Sequence, residues 1–236
     1  MNPAADSSGC LLLVATPIGN LDDLSNRAAE SLSLADLVAC EDTRITARLL
    51  EKLAIQVPLI SYREENERVL SSELADQIER GKKIVLVSDA GCPNLSDPGF
   101  RLIRECHIRG IPVIPVPGAN AALCALISSG LPTHQFLYLG FLPKKSAAVK
   151  KVLEKWKDFE GSLILYESKY KIEKTLVLIN EVLGPERFIC LAREITKVHE
   201  TIRTAKVAEI IEFFRQRSGK GEFTLVIAPE GYSLKS

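Results

Sequence analysis

Residues Lys82–Gly99 read KKIVLVSDAGCPNLSDPG. Four consecutive apolar residues, Ile84 to Val87, run into Ser88-Asp89-Ala90-Gly91-Cys92-Pro93 and then into Ser96-Asp97-Pro98-Gly99. An unbroken apolar run of this length, bounded by turn residues, fits a strand buried on both faces, as in a parallel sheet covered by helices. The polar turns fall where an open α/β sheet carries its ligands, because loops at the carboxyl ends of strands meet helix N-termini with free backbone N–H groups.

The same alternation extends in both directions and predicts an α/β fold with a parallel or mixed sheet. Leu11 to Ala15 is a strand followed by TPIGN and a helix beginning near Asp22 or Asp23. Leu37 to Cys40 is a second strand, ending in Glu41-Asp42-Thr43-Arg44 at a helix start. Glu64 to Gly81 reads as an amphipathic helix closed by glycine. A helix from about Pro98 to Arg109, a strand Ile111 to Val116, and PGANAALCALISSG as turn plus helix complete the first half. Gly130-Leu131-Pro132 reads as a hinge, dividing the chain into lobes 1–131 and 132–236. Strands are predicted beyond it at Phe136–Leu142, Ser162–Tyr166, Phe188–Arg193 and Glu222–Ala228. Helices are predicted at Ala147–Trp156, Tyr170–Leu183 and Ala205–Arg217.

The 236 residues are 46% hydrophobic, and 30 basic side chains balance 30 acidic ones, so no overall field draws the chain to nucleic acid or membrane. Locally the balance tips. Lys144 to Lys174 carries nine lysines against five acids, whereas Asp36 to Arg80 carries ten acids against six basic residues. The six cysteines show no CxxC pair and several lie in apolar runs, which implies reduced thiols and a cytoplasmic protein. The start, MNPAADSSGC, has neither the basic nor the long apolar region of an export signal, and no apolar stretch approaches the length of a membrane span.

Several chemistries are excluded by inspection: there is no GxGxxG after a strand, no Walker loop, no HExxH, no GxSxG and no metal-spaced Cys/His set, so no metal is expected. The three histidines are far apart in sequence. What remains is a series of strand-terminal turns rich in small and polar residues, whose number argues for a ligand cleft.

LLLVATPIGNLDDLSNRA, ACEDTR, VSDAGCPNLSDPGF, VIPVPGANAALCAL, SGLP, GFLPKK, LYES, AREITKVHE and GKGEFTLVI together closely resemble the tetrapyrrole-methylase-like methyltransferases that use S-adenosyl-L-methionine (AdoMet). Within that class the resemblance is to the bacterial small-subunit ribosomal RNA (cytidine-2′-O)-methyltransferases, and it runs from about Leu11 to Ile227. It implies two α/β lobes with AdoMet in a cleft between them, a homodimer, and ribosomal RNA or the small ribosomal subunit as partner. It places the cofactor loops on Pro17, Gly19, Ser88, Asp89, Ala90, Gly91, Gly118 and Ala119, and on Phe141, Leu142, Tyr166, Ala192 and Arg193. Cys92 stands where the family has threonine. Members also carry a further C-terminal segment, so substrate contacts are expected from other surfaces here.

Methyl transfer to a ribose hydroxyl needs positioning, exclusion of water and help for a poor nucleophile. The candidates are Glu41, Asp42 and Arg44 from CEDTR, and Arg193, Glu194, Lys197 and Glu200 from AREITKVHE. A carboxylate would accept the proton, and Arg44 or Lys197 would hold a phosphate or oxyanion; the residues alone do not single out one base. The lysines from Lys144 to Lys174 would meet RNA phosphates. Two other readings stay open: a methylase of a tetrapyrrole or other small molecule, and a non-catalytic RNA- or ribosome-binding module.

Overall fold

The computed structural model describes residues 9–216 and 219–234. The expectations for Met1–Ser8 and for Arg217 lie outside the described residues. The chain divides into two compact units, Met1–Asn120 and Ala121–Ser236.

In the first unit, β1 (Cys10–Val14), β2 (Leu37–Cys40), β3 (Leu59–Ser61), β4 (Lys83–Leu86) and β5 (Val113–Val116) form an all-parallel sheet in the order β3-β2-β4-β1-β5. The central strands are apolar except for Lys83 at the start of β4, because both their faces are covered. Leu12, Val14, Val38, Cys40 and Val85 pack on one side with Leu32 of α1 (Asn26–Ser33) and Leu50 of α2 (Thr43–Lys52). The intervening Leu11, Ala39, Ile84 and Leu86 pack on the other with Leu74 and Ile78 of α3 (Glu67–Glu79) and Leu102 and Cys106 of α4 (Phe100–Ile108). Fully burying each leucine, isoleucine or valine side chain among them contributes about 1.5–3 kcal/mol. Since all five strands run the same way, the turns that follow β1, β2, β4 and β5 emerge at one edge.

The helix expected near Asp22 is a short 3-10 turn, Leu21–Asp23, capped by Asn20. The α-helix proper starts later, where Ser25 Oγ accepts a hydrogen bond from the Ala28 amide at 3.1 Å.

The second unit opens with α5 (Ala121–Ser128). Its sheet runs β6-β7-β10-β8-β9, with β6 (Phe136–Phe141) and β7 (Ser162–Ser168) parallel and β8 (Phe188–Arg193), β9 (Thr201–Lys206) and β10 (Glu222–Ile227) joined antiparallel. Helices α6 (Ser146–Trp156), α7 (Ile172–Leu183) and α8 (Val207–Arg215) bury Leu153, Leu176, Ile179 and Ile210 against Leu163, Leu165, Leu191 and Leu225. The opposite face carries α5, which approaches closely through Ala122 and Ala125; the Ala122 amide donates to Tyr166 Oη at 3.2 Å. With that packing α5 belongs to the second unit, which begins at Ala121.

Strand β9 corrects the helix expected from Ala205. TIRTAK pairs residue for residue with β8, from Thr201 opposite Arg193 to Lys206 opposite Phe188, and the helix begins only at Val207. No described helix is long and apolar enough to cross a membrane.

Candidate functional site

The turns after β1 and β4 are bound together. Thr16 and Gly91 exchange backbone hydrogen bonds at 2.9 and 3.0 Å, and Thr16 Oγ1 donates to the Ser88 carbonyl at 3.1 Å. Gly91 has φ +82°, a left-handed conformation that side-chain-bearing residues rarely adopt, and a Cβ there would come within 3.3 Å of Ile18 Cγ2. The β5 turn lies against the same edge, since a Cβ on Gly118 would sit 3.0 Å from Ala15 Cβ. The Cys92 thiol donates to the Ala119 carbonyl at 3.6 Å, and Asn120 Nδ2 donates to Cys92 Sγ at 3.6 Å, so Cys92 stitches the β4 and β5 turns together. The fold thus brings Pro17, Gly19, Ser88, Asp89, Ala90, Gly91, Gly118 and Ala119 to one edge of the sheet. Pro17, Gly19, Ser88 and Asp89 line a cavity of about 240 Å³ there with Ile45 and Arg48.

Beside it lies a polar pocket of about 460 Å³ lined by Glu41, Asp42, Arg44, Arg63, Asp89 and Asp97, among others. Asp42 caps α2: its Oδ1 accepts from the Arg44 amide at 2.9 Å, and the Arg44 guanidinium closes on the carboxylate at 3.0 and 2.5 Å. Arg44 holds the Asp42 carboxyl well below the usual carboxylate range. The Asp42 amide in turn donates to Asp89 Oδ1 at 3.0 Å, which links the β2 and β4 turns. Burial pushes the Glu41 carboxyl up, the Asp89 charge adds to this, and Arg63 opposes it. Asp97 is pushed up to about 6, first by burial and then by Glu41, against a hydrogen bond from Ser88. It sits on a turn where Asn94 and Ser96 both have positive φ, 67° and 69°.

In the second unit the residues assigned by resemblance fall largely on one row across the sheet. Phe141 is opposite Tyr166, Tyr166 opposite Thr224, Thr224 opposite Ala192, and Ala192 opposite Ile202. Tyr166 makes edge-on contacts with Phe141 and Tyr138 at centroid distances of 5.6 and 5.3 Å. Phe141 is exposed, whereas Leu142 and Ala192 are buried.

Past β8 the chain turns through Glu194 and Thr196 at positive φ, 53° and 68°. Glu194 Oε1 accepts from Lys197 Nζ at 3.0 Å and from the Glu222 amide at 2.9 Å, and Lys197 also reaches Glu222 Oε2 at 2.8 Å. Burial alone would raise the Glu194 carboxyl, but the Glu222 amide and the Lys197 ammonium together hold it below its ordinary value. The Lys197 ammonium is stabilised above its ordinary value, its burial outweighed by Glu222 and Glu194. Arg193 Nε donates to the Lys220 carbonyl at 2.6 Å. Glu200 Oε2 accepts from the Thr196 amide at 2.6 Å, closing the loop.

Glu41 and Arg44 therefore stand with the first unit's turns, and Glu194 and Lys197 form a pair of their own in the second unit. Sequence reasoning missed Arg63, Asp97, Gly221 and Glu222. Asp97 was in view inside SDPG but passes for an ordinary turn residue. Glu222 and Gly221 are significant only through strand pairing, which no local pattern reveals. Among the described residues no group of His, Cys, Asp and Glu side chains is arranged to hold a metal ion.

Solved structures similar to this one include methyltransferases. The methyltransferase CobJ superposes with a TM-score of 0.69 over 97% of this chain and 98% of its own, at 18% identity. The uroporphyrin-III-C-methyltransferase of Thermus thermophilus gives 0.63 over 93% and 94%, at 20% identity. These identities establish the fold alone. The family model for Tetrapyrrole (Corrin/Porphyrin) Methylases matches residues 11–211, and the chain belongs to that family of methyltransferases. Among its relatives is the ribosomal RNA small subunit methyltransferase I of Halalkalibacterium halodurans, 43% identical over 98% of this chain and 79% of that protein. The proteins of the same name from Synechocystis and Escherichia coli O157:H7 are 45% and 41% identical over 93% and 98% of this chain.

Proposed function

We propose that the protein transfers a methyl group from AdoMet to the ribose 2′-oxygen of a cytidine in small-subunit ribosomal RNA. The observation that carries this reading is the 41–45% identity, over 93–98% of the chain, to proteins named ribosomal RNA small subunit methyltransferase I. The fold's similarity to tetrapyrrole methylases, at 14–20% identity, carries no such weight for the acceptor.

The first unit's edge fits the cofactor. Gly91 and Gly118 occupy positions where a Cβ would crowd Ile18 and Ala15, so the turns after β1, β4 and β5 close tightly on one another and form one edge against which a flat, extended ligand would lie. Pro17, Gly19, Ser88, Asp89, Ala90, Gly91, Gly118 and Ala119 hold it there. In the second unit Phe141, Tyr166 and Ala192 provide an aromatic and aliphatic row, flanked by Leu142 and Arg193, for the same ligand class. When bound, AdoMet supplies an electrophilic methyl group activated by its sulfonium charge.

Glu41 is the proton acceptor in this reading: it follows β2 at the turn edge, lines the polar pocket there, and burial raises its carboxyl. Lys197 is held between Glu194 and Glu222, which fixes its ammonium so that its remaining N–H can donate toward phosphate or oxyanion. Arg44, clasped to Asp42, orients the start of α2 beside Glu41. The protein works as a cytoplasmic homodimer, and light scattering at the mass of one chain would contradict that assembly.

The test is transfer of labelled methyl from AdoMet to unmodified small ribosomal subunits, with free rRNA and a tetrapyrrole as parallel acceptors. Label in the RNA is expected, and label only in the tetrapyrrole would overturn the reading. Glu41→Gln is expected to lower turnover about 10²- to 10⁴-fold with donor binding retained. Unchanged turnover would remove Glu41 from the reaction.

A further inference from the structure

One surface feature follows directly on Ser168, the residue that pairs with Glu222, and its aromatic ring stands clear of the core. The turn Lys169-Tyr170-Lys171 leads from β7 into α7, and Tyr170 is 84% exposed, the highest of any described aromatic side chain. The turn beneath it is well anchored. Buried Glu167 accepts from Ser168 N at 2.7 Å and from Thr175 Oγ1 at 2.7 Å, the Lys171 amide donates to the Ser168 carbonyl at 3.0 Å, and Ile172 is 1% exposed. The ring is therefore carried into solvent on a fixed base. Lys169 Nζ lies 4.9 Å from the ring centroid, and a notch of about 280 Å³ opens beside it, bounded by Tyr170, Glu173, Phe214 and Arg215.

At the notch Arg215 Nε lies 4.0 Å from Glu173 Oε1, but most of the surrounding lysines are not spent on ion pairs. Among the described residues only Lys150 and Lys157, of the nine lysines between Lys144 and Lys174, lie within 4.0 Å of a carboxylate. Lys169, Lys171 and Lys174 leave this turn positive. An exposed ring with Lys169 over one face, set among lysines outside ion pairs, matches the requirements of a single nucleic-acid strand, whose bases stack and whose phosphates carry charge. A duplex hides its base faces and would use the lysines alone.

We propose that Lys169, Tyr170, Lys171 and Lys174 form a docking platform for single-stranded RNA, one base stacking on Tyr170 while the lysines meet the neighbouring phosphates. This rests on the reading above that the substrate is RNA. It adds that the RNA is engaged unpaired at this turn.

The test is fluorescence anisotropy with a labelled single-stranded oligopyrimidine RNA of about 12 nucleotides, the matching duplex and anionic phospholipid vesicles as comparators. Tyr170→Ala is expected to weaken single-strand binding about 5- to 100-fold, with Tyr170→Phe within about twofold of the parent. Lys171→Glu with Lys174→Glu is expected to reduce the slope of log affinity against log salt by about 1.4. Melting temperatures of the variants confirm folding, which the exposure of these side chains favours. Single-strand binding unchanged within about twofold in folded Tyr170→Ala would overturn the platform, as would a parent protein that binds the vesicles and not the RNA. Methyl transfer separates the two readings. Transfer to rRNA with no Tyr170 effect on binding removes the platform alone, and Tyr170-dependent binding with no transfer to rRNA removes the proposed reaction alone.

Discussion

Asp97 shows how one side chain records its surroundings. Its carboxyl is pushed up to about 6 by burial and by the charges of Glu41 and Asp89, so the folded protein holds that proton more tightly than the unfolded chain does. The stabilising contribution is complete below the unfolded value near 3.8 and is lost as pH rises through about 6. Asp97→Asn removes this titration. The variant is expected to gain melting temperature relative to the parent on going from pH 4 to pH 8, and an identical difference at both would contradict the assignment. Gly221 makes the opposite case, a residue important for what it lacks. With φ +117° and a would-be Cβ 2.7 Å from Glu194 Cγ, Gly221→Ala is expected to cost at least about 1 kcal/mol in urea unfolding and to loosen the Glu194–Lys197 pair.

Single elements owe their limits to a few polar contacts. Helix α2 starts at Thr43 because Asp42 supplies the cap, and Asp42→Ala is expected to destabilise the fold by about 1 kcal/mol. Asp42→Asn keeps an acceptor for the Arg44 amide and loses only an ion pair whose arginine is exposed, so its cost should be under about 1 kcal/mol. Equal losses in the two variants, measured by denaturant midpoint, would show that the pair matters more than the cap. Strand β9 owes its existence to pairing: Thr201, Ile202, Arg203 and Thr204 have no continuous apolar run, and β8 supplies their hydrogen-bond partners. Its burial pattern is mostly partial, as suits an edge strand.

At the scale of the whole chain, the two sheets differ in how much of them the sequence discloses. Strands buried on both faces, such as Ile84–Leu86 and Leu37–Cys40, announce themselves as apolar runs, and so the parallel sheet was legible almost strand by strand. The three-residue β3 and the polar edge strand β9 were not, since their conformation comes from a neighbouring strand. The site divides similarly. Motif residues such as Ser88–Gly91 were readable from turn chemistry and resemblance, while Asp97, Gly221 and Glu222 acquire meaning only from burial and register. The row Phe141–Tyr166–Ala192 unites residues scattered over fifty positions through strand pairing alone. The zero net charge likewise conceals the unpaired lysines around Tyr170. The position of the transferred methyl group joins these scales. Small ribosomal subunits lacking the modification, incubated with the protein and AdoMet, should be digested to nucleosides and resolved by mass spectrometry. A 2′-O-methylcytidine that appears only with active protein is the expected result; methyl groups found only on bases, or on no RNA product while a tetrapyrrole acceptor is methylated, would contradict it.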